Sequence, residues 1–161
     1  MPLNSTCHSW QTFSLRDLLA EVCRPLESRL STQAIQTIID IPENQTVTAE
    51  RELFQHAVRN LVLNAVEAMP AGGLLTATSA ASGQSIELEI ADSGPALSDE
   101  ERRQVFALLP SVQRGGAGWG LAVVHRIAEL HGGNVSVTNC PDGGVAFTLR
   151  IPRSVALEAA A

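Results

Sequence analysis

The chain has 161 residues, 45% of them apolar, which suits one folded domain with its own core and excludes a composition-driven disordered segment. Its net charge of −6 is dispersed with no Lys/Arg cluster, which argues against nucleic acid or an anionic membrane surface as partner. No run approaches the ~18 consecutive apolar residues of a membrane span, and the start "MPLNSTCHSW" lacks the basic region and apolar run of a secretory signal.

In chain order, residues 13 to 15 are expected to form a short strand, followed by a helix through "LRDLLAEVCRPLESRL" that Pro25 kinks or divides. "AIQTIIDI" reads as a strand closed by Pro42 and the polar loop "ENQT". Thr48 is placed to cap a long helix ending near Met69, where "PAGG" stops it. "LLTATSA" and "SIELEIADS" read as two strands around a turn at Ser82-Gly83, the second with Ile86, Leu88 and Ile90 alternating with glutamates. Ser98 with Glu101 forms a capping box that opens a short helix through Phe106. The loop "ALLPSVQRGGAG" leads into a helix "WGLAVVHRIAELH", ended by Gly132-Gly133. "NVSVTN" and "VAFTLRI" are the last strands, joined by "CPDGG". Strands and helices mix without strict βαβ alternation, so the expected fold is α+β: a two-layer α/β sandwich, its mixed, mainly antiparallel sheet carrying helices on one face. Cys7, Cys23 and Cys140 are far apart and lack metal-ligand spacing, which reads as reduced thiols in a cytoplasm.

Four polar constellations stand out. In the first, "HAVRNLVLNAVEAM", helical periodicity gathers His56, Asn60, Asn64 and Glu67 within roughly an 80° arc opposite an apolar side. An amide oxygen can ligate a hard cation and an amide NH₂ can donate to phosphate; the structural alternative is a pair of satisfied core amides. In the second, "IADSGP", Asp92 ends an apolar strand and Gly94 follows. A carboxylate there can accept from the exocyclic amine of a base, or the stretch is an ordinary turn. The third is the run Gly116, Gly118, Gly120, which precedes or opens a helix and so exposes N–H groups suited to phosphate; the alternative is a hinge loop. Its spacing is GxGxG rather than the GxGxxG of dinucleotide-binding domains. The fourth, "CPDGG" with Asp142, reads as a turn.

Taken in order, these elements resemble the GHKL (Bergerat) ATP-binding fold, and more narrowly the catalytic domain of sensor histidine kinases of the nitrogen-regulation and oxygen-sensing groups. "NLVLNAVEAMPAGG" is similar to the N box, "DSGPAL" to the G1 box, and "GAGWGLAVVHRIAELHGGNVSV" to the G2 box and its helix. The resemblance implies an ATP-binding domain over residues 13–152, with an extension at 1–12 and a tail at 153–161. It implies ATP and Mg²⁺ as ligands, Asn64 on the metal, Asn60 supporting the same shell, and Asp92 on the adenine amino group with Gly94 beside the ring. It also places Arg114, Gly116, Gly118, Gly120 and Leu121 at the phosphates. Hydrolytic relatives carry a glutamate where Asn60 stands; an amide cannot take a proton, so a water-activating ATPase is disfavoured. None of His8, His56, His125 or His131 lies in the His-Glu/Asp-x-x-x-Pro context of the family's phosphoacceptor. The implied function is the ATP-binding half of a cytoplasmic histidine autokinase. Its partners would be a histidine-bearing dimerisation segment and, indirectly, a receiver domain, with no nucleic acid or direct membrane contact, and the chain would be inactive alone. The alternative is a degenerate domain of the same fold acting in protein contacts. Ala96 replaces the second G1 glycine, Gln113 a common lid lysine, Val145 a frequent threonine, and Glu67 a lysine of some kinases. Ala117 and Trp119 also depart from the common G2 residues.

Overall fold

The computed structural model describes residues 9–106 and 118–153. The helix α1, Leu15–Cys23, starts where the Ser14 hydroxyl accepts from the Asp17 N–H, and it buries Leu15, Leu18, Leu19 and Val22 along one stripe. Pro25 divides the predicted helix: a 3₁₀ turn at Arg24–Leu26 separates α1 from α2, Glu27–Thr32. Proline has no N–H to give the ladder, and its ring crowds the preceding turn.

Two expectations at the N-terminal side are corrected. The first strand, β1, is Trp10–Ser14, so Leu15 opens α1 rather than ending a strand. Thr48 does not cap the long helix. Residues Thr46–Glu50 form the strand β3 (β2 is Ile35–Asp40), antiparallel to β1 from Trp10↔Glu50 to Ser14↔Thr46, and the Thr48 and Thr12 hydroxyls bond at 2.8 Å. The helix α3, Arg51–Glu67, is capped by Glu50, whose Oε2 accepts from the Leu53 N–H at 2.9 Å. A strand partner some 36 residues away, invisible in the local pattern, displaced the cap by two positions. Buried His131 secures this corner: its Nε2 accepts from the Glu50 N–H at 3.1 Å, its Nδ1–H donates to the Ile127 carbonyl at 2.8 Å, and Trp10 and Phe54 meet its ring edge-on.

The main sheet adds β4 (Gly73–Ser82), β5 (Ser85–Ala91), β6 (Asn134–Asn139) and β7 (Val145–Pro152) in the order β2-β4-β5-β7-β6. Only β2–β4 is parallel. The capping box at Ser98 and Glu101 forms as expected and opens α4, Asp99–Gln104. The remaining helix, α5, is Gly118–Leu130. Helix α3 packs on α5 and β5, and α5 on β6 and β7. Phe54, Leu61 and Leu121 from the helices and Leu75, Leu88, Ile90, Phe147 and Leu149 from the strands fill the space between the layers. The outward residues of β5 and β7 are Glu87, Glu89, Thr148 and Arg150, so the sheet alternates as a one-sided layer must. The result is the expected two-layer sandwich, with the start of β4, the end of β5, the start of β7 and the C-terminal end of α3 meeting at one end of the sheet.

Candidate functional site

The polar stripe of α3 changes environment along its length. His56 is exposed, Asn60 and Glu67 are half-buried, and Asn64 has 0% exposure. Among the described residues, neither Oδ1 nor Nδ2 of Asn64 has a hydrogen-bond partner. This is not a satisfied core amide. A buried amide left unpaired costs roughly 1–3 kcal/mol, and none of the described residues offsets that cost. Asn60 packs against α5: a Cβ added at Gly120 would lie 3.3 Å from the Asn60 Cγ, so glycine there lets the two helices close up at the amide.

Asp92 follows the last residue of β5 and is 4% exposed. Its backbone N–H donates to the Val145 carbonyl at 2.9 Å, and its Oδ1 accepts from the Gly94 N–H at 2.9 Å. That second bond folds the Asp-Ser-Gly stretch into an Asx turn. Ser93 Oγ accepts from the Leu74 N–H at 2.9 Å and ties the turn to the start of β4. Gly94 presses against α3's end, since a Cβ there would lie 2.5 Å from the Ala68 carbonyl oxygen. The turn is therefore seated on the helix that carries both asparagines.

The first-turn glycines of α5, Gly118 and Gly120, sit where N–H groups lack intrahelical acceptors. Leu121 is 2% exposed and belongs to the hydrophobic core, so only its backbone is available to a ligand. Arg114 and Gly116, with Gln113 and Ala117, lie outside the described residues, as does the Trp119 side chain.

The sequence reading missed Gly144. "CPDGG" does connect two strands, but Gly144 has φ +96° and a Cβ on it would lie 1.9 Å from the Asp92 carbonyl oxygen. The pair of glycines was the only local signal, and it does not say what the backbone approaches. Burial also raises the carboxyl pKa of Glu67, an effect that Arg29 partly opposes. A cleft of about 640 Å³ lies at the opposite end of the sheet, between Ser82–Ser85, Gly132–Asn134 and Arg150–Pro152; no candidate residue lines it. Among the described residues no cluster of three or more His, Cys, Asp or Glu could hold a metal, so a cation here would depend on amide oxygens, an isolated carboxylate and its own ligand.

An acidic strand end, a turn wedged on an amide-bearing helix, and a glycine-opened helix against that amide meet at one end of an α/β sandwich. Residues 49–155 match the family described as histidine kinase-, DNA gyrase B- and HSP90-like ATPases, and the chain belongs to that family. It is 32% identical over 149 residues to the adaptive-response sensory kinase SasA of Synechococcus sp. (strain CC9311), covering 88% of this chain and 39% of the relative. The chain thus spans about two fifths of that relative's length. The catalytic domain of histidine kinase ThkA, solved nucleotide-free, superposes with a TM-score of 0.82 at 26% identity, covering 90% of this chain and 96% of that one. ThkA has also been solved in complex with the response regulator TrrA, matched at a TM-score of 0.78 and 26% identity over 90% of this chain and 42% of that one. Full-length ShkA in complex with AMPPNP matches at a TM-score of 0.76 and 30% identity, over 89% of this chain and 31% of ShkA. Similarity to these kinase domains favours the kinase reading over a degenerate binding domain.

Proposed function

We propose that this chain is the ATP-binding catalytic domain of a sensor histidine kinase, spanning residues 13–152. In this reading it presents a magnesium nucleotide to a histidine on a dimerisation segment of the parent protein, with a receiver domain as the next acceptor. The AMPPNP bound by ShkA supports ATP as the ligand, and the ThkA–TrrA complex supports a response regulator as a downstream partner. The observation that carries the reading is Asn64, a fully buried amide with neither polar atom partnered among the described residues, on the face that also bears Asn60. An amide oxygen and a divalent cation fit each other as hard ligand and hard ion. A cation held there by Asn64 would supply positive charge to the nucleotide phosphates. Asn64 Oδ1 would hold the cation, Asn60 would support the phosphate side, and the N–H groups of α5's first turn would face the phosphates, with Gly116 and Arg114 contributing from the glycine-rich loop. Asp92 would accept from the adenine amino group with Gly94 beside the ring. Asn60 cannot serve as a base, so the domain orients a phosphoryl donor and does not activate water. The kinase part acts in the cytoplasm, without nucleic acid and without direct membrane contact; among the described residues no helix is long and apolar enough to cross a membrane.

Radiolabelled ATP tests this. The isolated chain is expected to bind ATP yet neither label itself nor hydrolyse ATP appreciably, and to transfer the γ-phosphate when the parent's histidine segment is supplied. Stable label on the isolated chain would refute the reading. ATP binding without label on a supplied segment would favour the non-catalytic alternative.

The cost of the empty amide gives a second expectation. Asn64→Leu removes a buried polar group that is unpaired among the described residues while keeping the branching at Cγ and the number of heavy atoms, so the nucleotide-free chain should become more stable by about 1–3 kcal/mol. For a chain of this size that is a rise of several degrees in Tm. The same variant should lose the magnesium-dependent part of nucleotide binding, so titrations with Mg²⁺ and with chelator converge. A lowered Tm together with an intact magnesium effect would return Asn64 to the core.

A further inference from the structure

We infer that Glu67 is a second ligand of the cation at Asn64, so that α3 holds a two-oxygen cation site that fills before the nucleotide arrives. The inference rests on the cation reading above. Glu67 lies three residues after Asn64, on the same face of α3, the spacing at which helical side chains are neighbours. Among the described residues, Glu67 Oε2 is buried and lacks a hydrogen-bond partner, as do both polar atoms of Asn64. Two unsatisfied polar side chains one turn apart are rare in a native fold, where buried polar atoms are overwhelmingly paired.

Nothing described neutralises the carboxylate directly. Arg29 acts on it at a distance, but Arg29 Nε donates to Gln33 Oε1 at 2.8 Å, and no ion pair joins Arg29 to Glu67. Gln33 in turn donates from Nε2 to the Val66 and Met69 carbonyls at 3.1 and 3.2 Å, which ties the Arg29–Gln33 pair to the end of α3. The Glu67 carboxylate therefore has no direct counter-charge among the described residues. A hard divalent cation supplies that charge, and one carboxylate plus one neutral oxygen, completed by water, is a donor set that Mg²⁺ and Mn²⁺ accept. An amide alone carries no charge and would wait for the nucleotide to bring the cation. The carboxylate lets the protein hold the cation first and present a positive centre to the phosphates.

Mn²⁺ titration of the chain without nucleotide, read by electron paramagnetic resonance, tests this. The chain is expected to bind one Mn²⁺, Glu67→Gln to weaken that binding at least tenfold, and Glu67→Asp to keep part of it. Thermal melts give a readout independent of activity. Mn²⁺ should raise the Tm of the unaltered chain but not of Glu67→Gln, and without metal Glu67→Gln should be no less stable than the unaltered chain. Equal Mn²⁺ affinity in the unaltered chain and Glu67→Gln would overturn the inference. So would Mn²⁺ binding only in the presence of nucleotide, which leaves the cation reading at Asn64 standing. If Mn²⁺ changes nothing with or without ATP, the cation reading falls as well.

Discussion

Replacing Gly144 by alanine is expected to lower the Tm by about 10 °C and to weaken nucleotide binding, while the same change at the adjacent Gly143 costs only a few degrees. Both glycines have a positive φ, +99° at Gly143 and +96° at Gly144, a conformation that costs an L residue roughly 1–3 kcal/mol. Their surroundings differ. A Cβ at Gly143 meets nothing within 4 Å, whereas one at Gly144 would lie 1.9 Å from the Asp92 carbonyl oxygen and 2.9 Å from the Ser93 Cα. Those are backbone atoms that no side-chain rotation relieves. The strand start must shift, and with it the Asp92 N–H bond to Val145. The added cost brings the total to about 3 kcal/mol or more, and at 2–4 °C per kcal/mol for this size the melting point falls by about 10 °C. Paired thermal melts of the two variants decide it. Equal losses would mean that the approach of the hairpin to Asp92 is not tight in solution.

Changing Asp92 to asparagine is expected to cost tenfold or more in affinity for ATP and ADP alike while leaving the fold intact. Asp92 Oδ1 holds the turn by accepting from the Gly94 N–H, and an asparagine Oδ1 can make the same bond. What changes is the second position, where a charged acceptor becomes an NH₂ donor. Against the adenine amino group that replaces a charge-assisted hydrogen bond with two donors facing each other, a loss of about 1.5–3 kcal/mol or more. Asp92→Ala loses the same contact and also the Asx turn, so it should bind as weakly and melt lower. Calorimetry with ADP separates binding from folding. Unchanged ADP affinity in Asp92→Asn would remove Asp92 from the base site.

Helix periodicity, the alternation of Ile86, Leu88 and Ile90, the Ser98–Glu101 capping box and the stop at Gly132-Gly133 all form as the sequence predicts, because each is settled by residues within one or two turns of one another. The candidate residues Asn60, Asn64, Asp92 and Gly94 were legible for the same reason: amides recurring on one helical face, and an acid at a strand end before glycine. Three features were decided only by the tertiary structure. Residues 46–50 became a strand because β1 lay opposite, which moved the helix cap from Thr48 to Glu50. Gly144 had to be glycine because the Asp92 backbone fills the space that a side chain would need. Asn64 is a buried amide without a partner among the described residues, where local sequence equally allowed a satisfied one. Each depends on what a residue meets across the fold. Local pattern fixes which face of an element turns inward, but not which atoms wait there to pair with it.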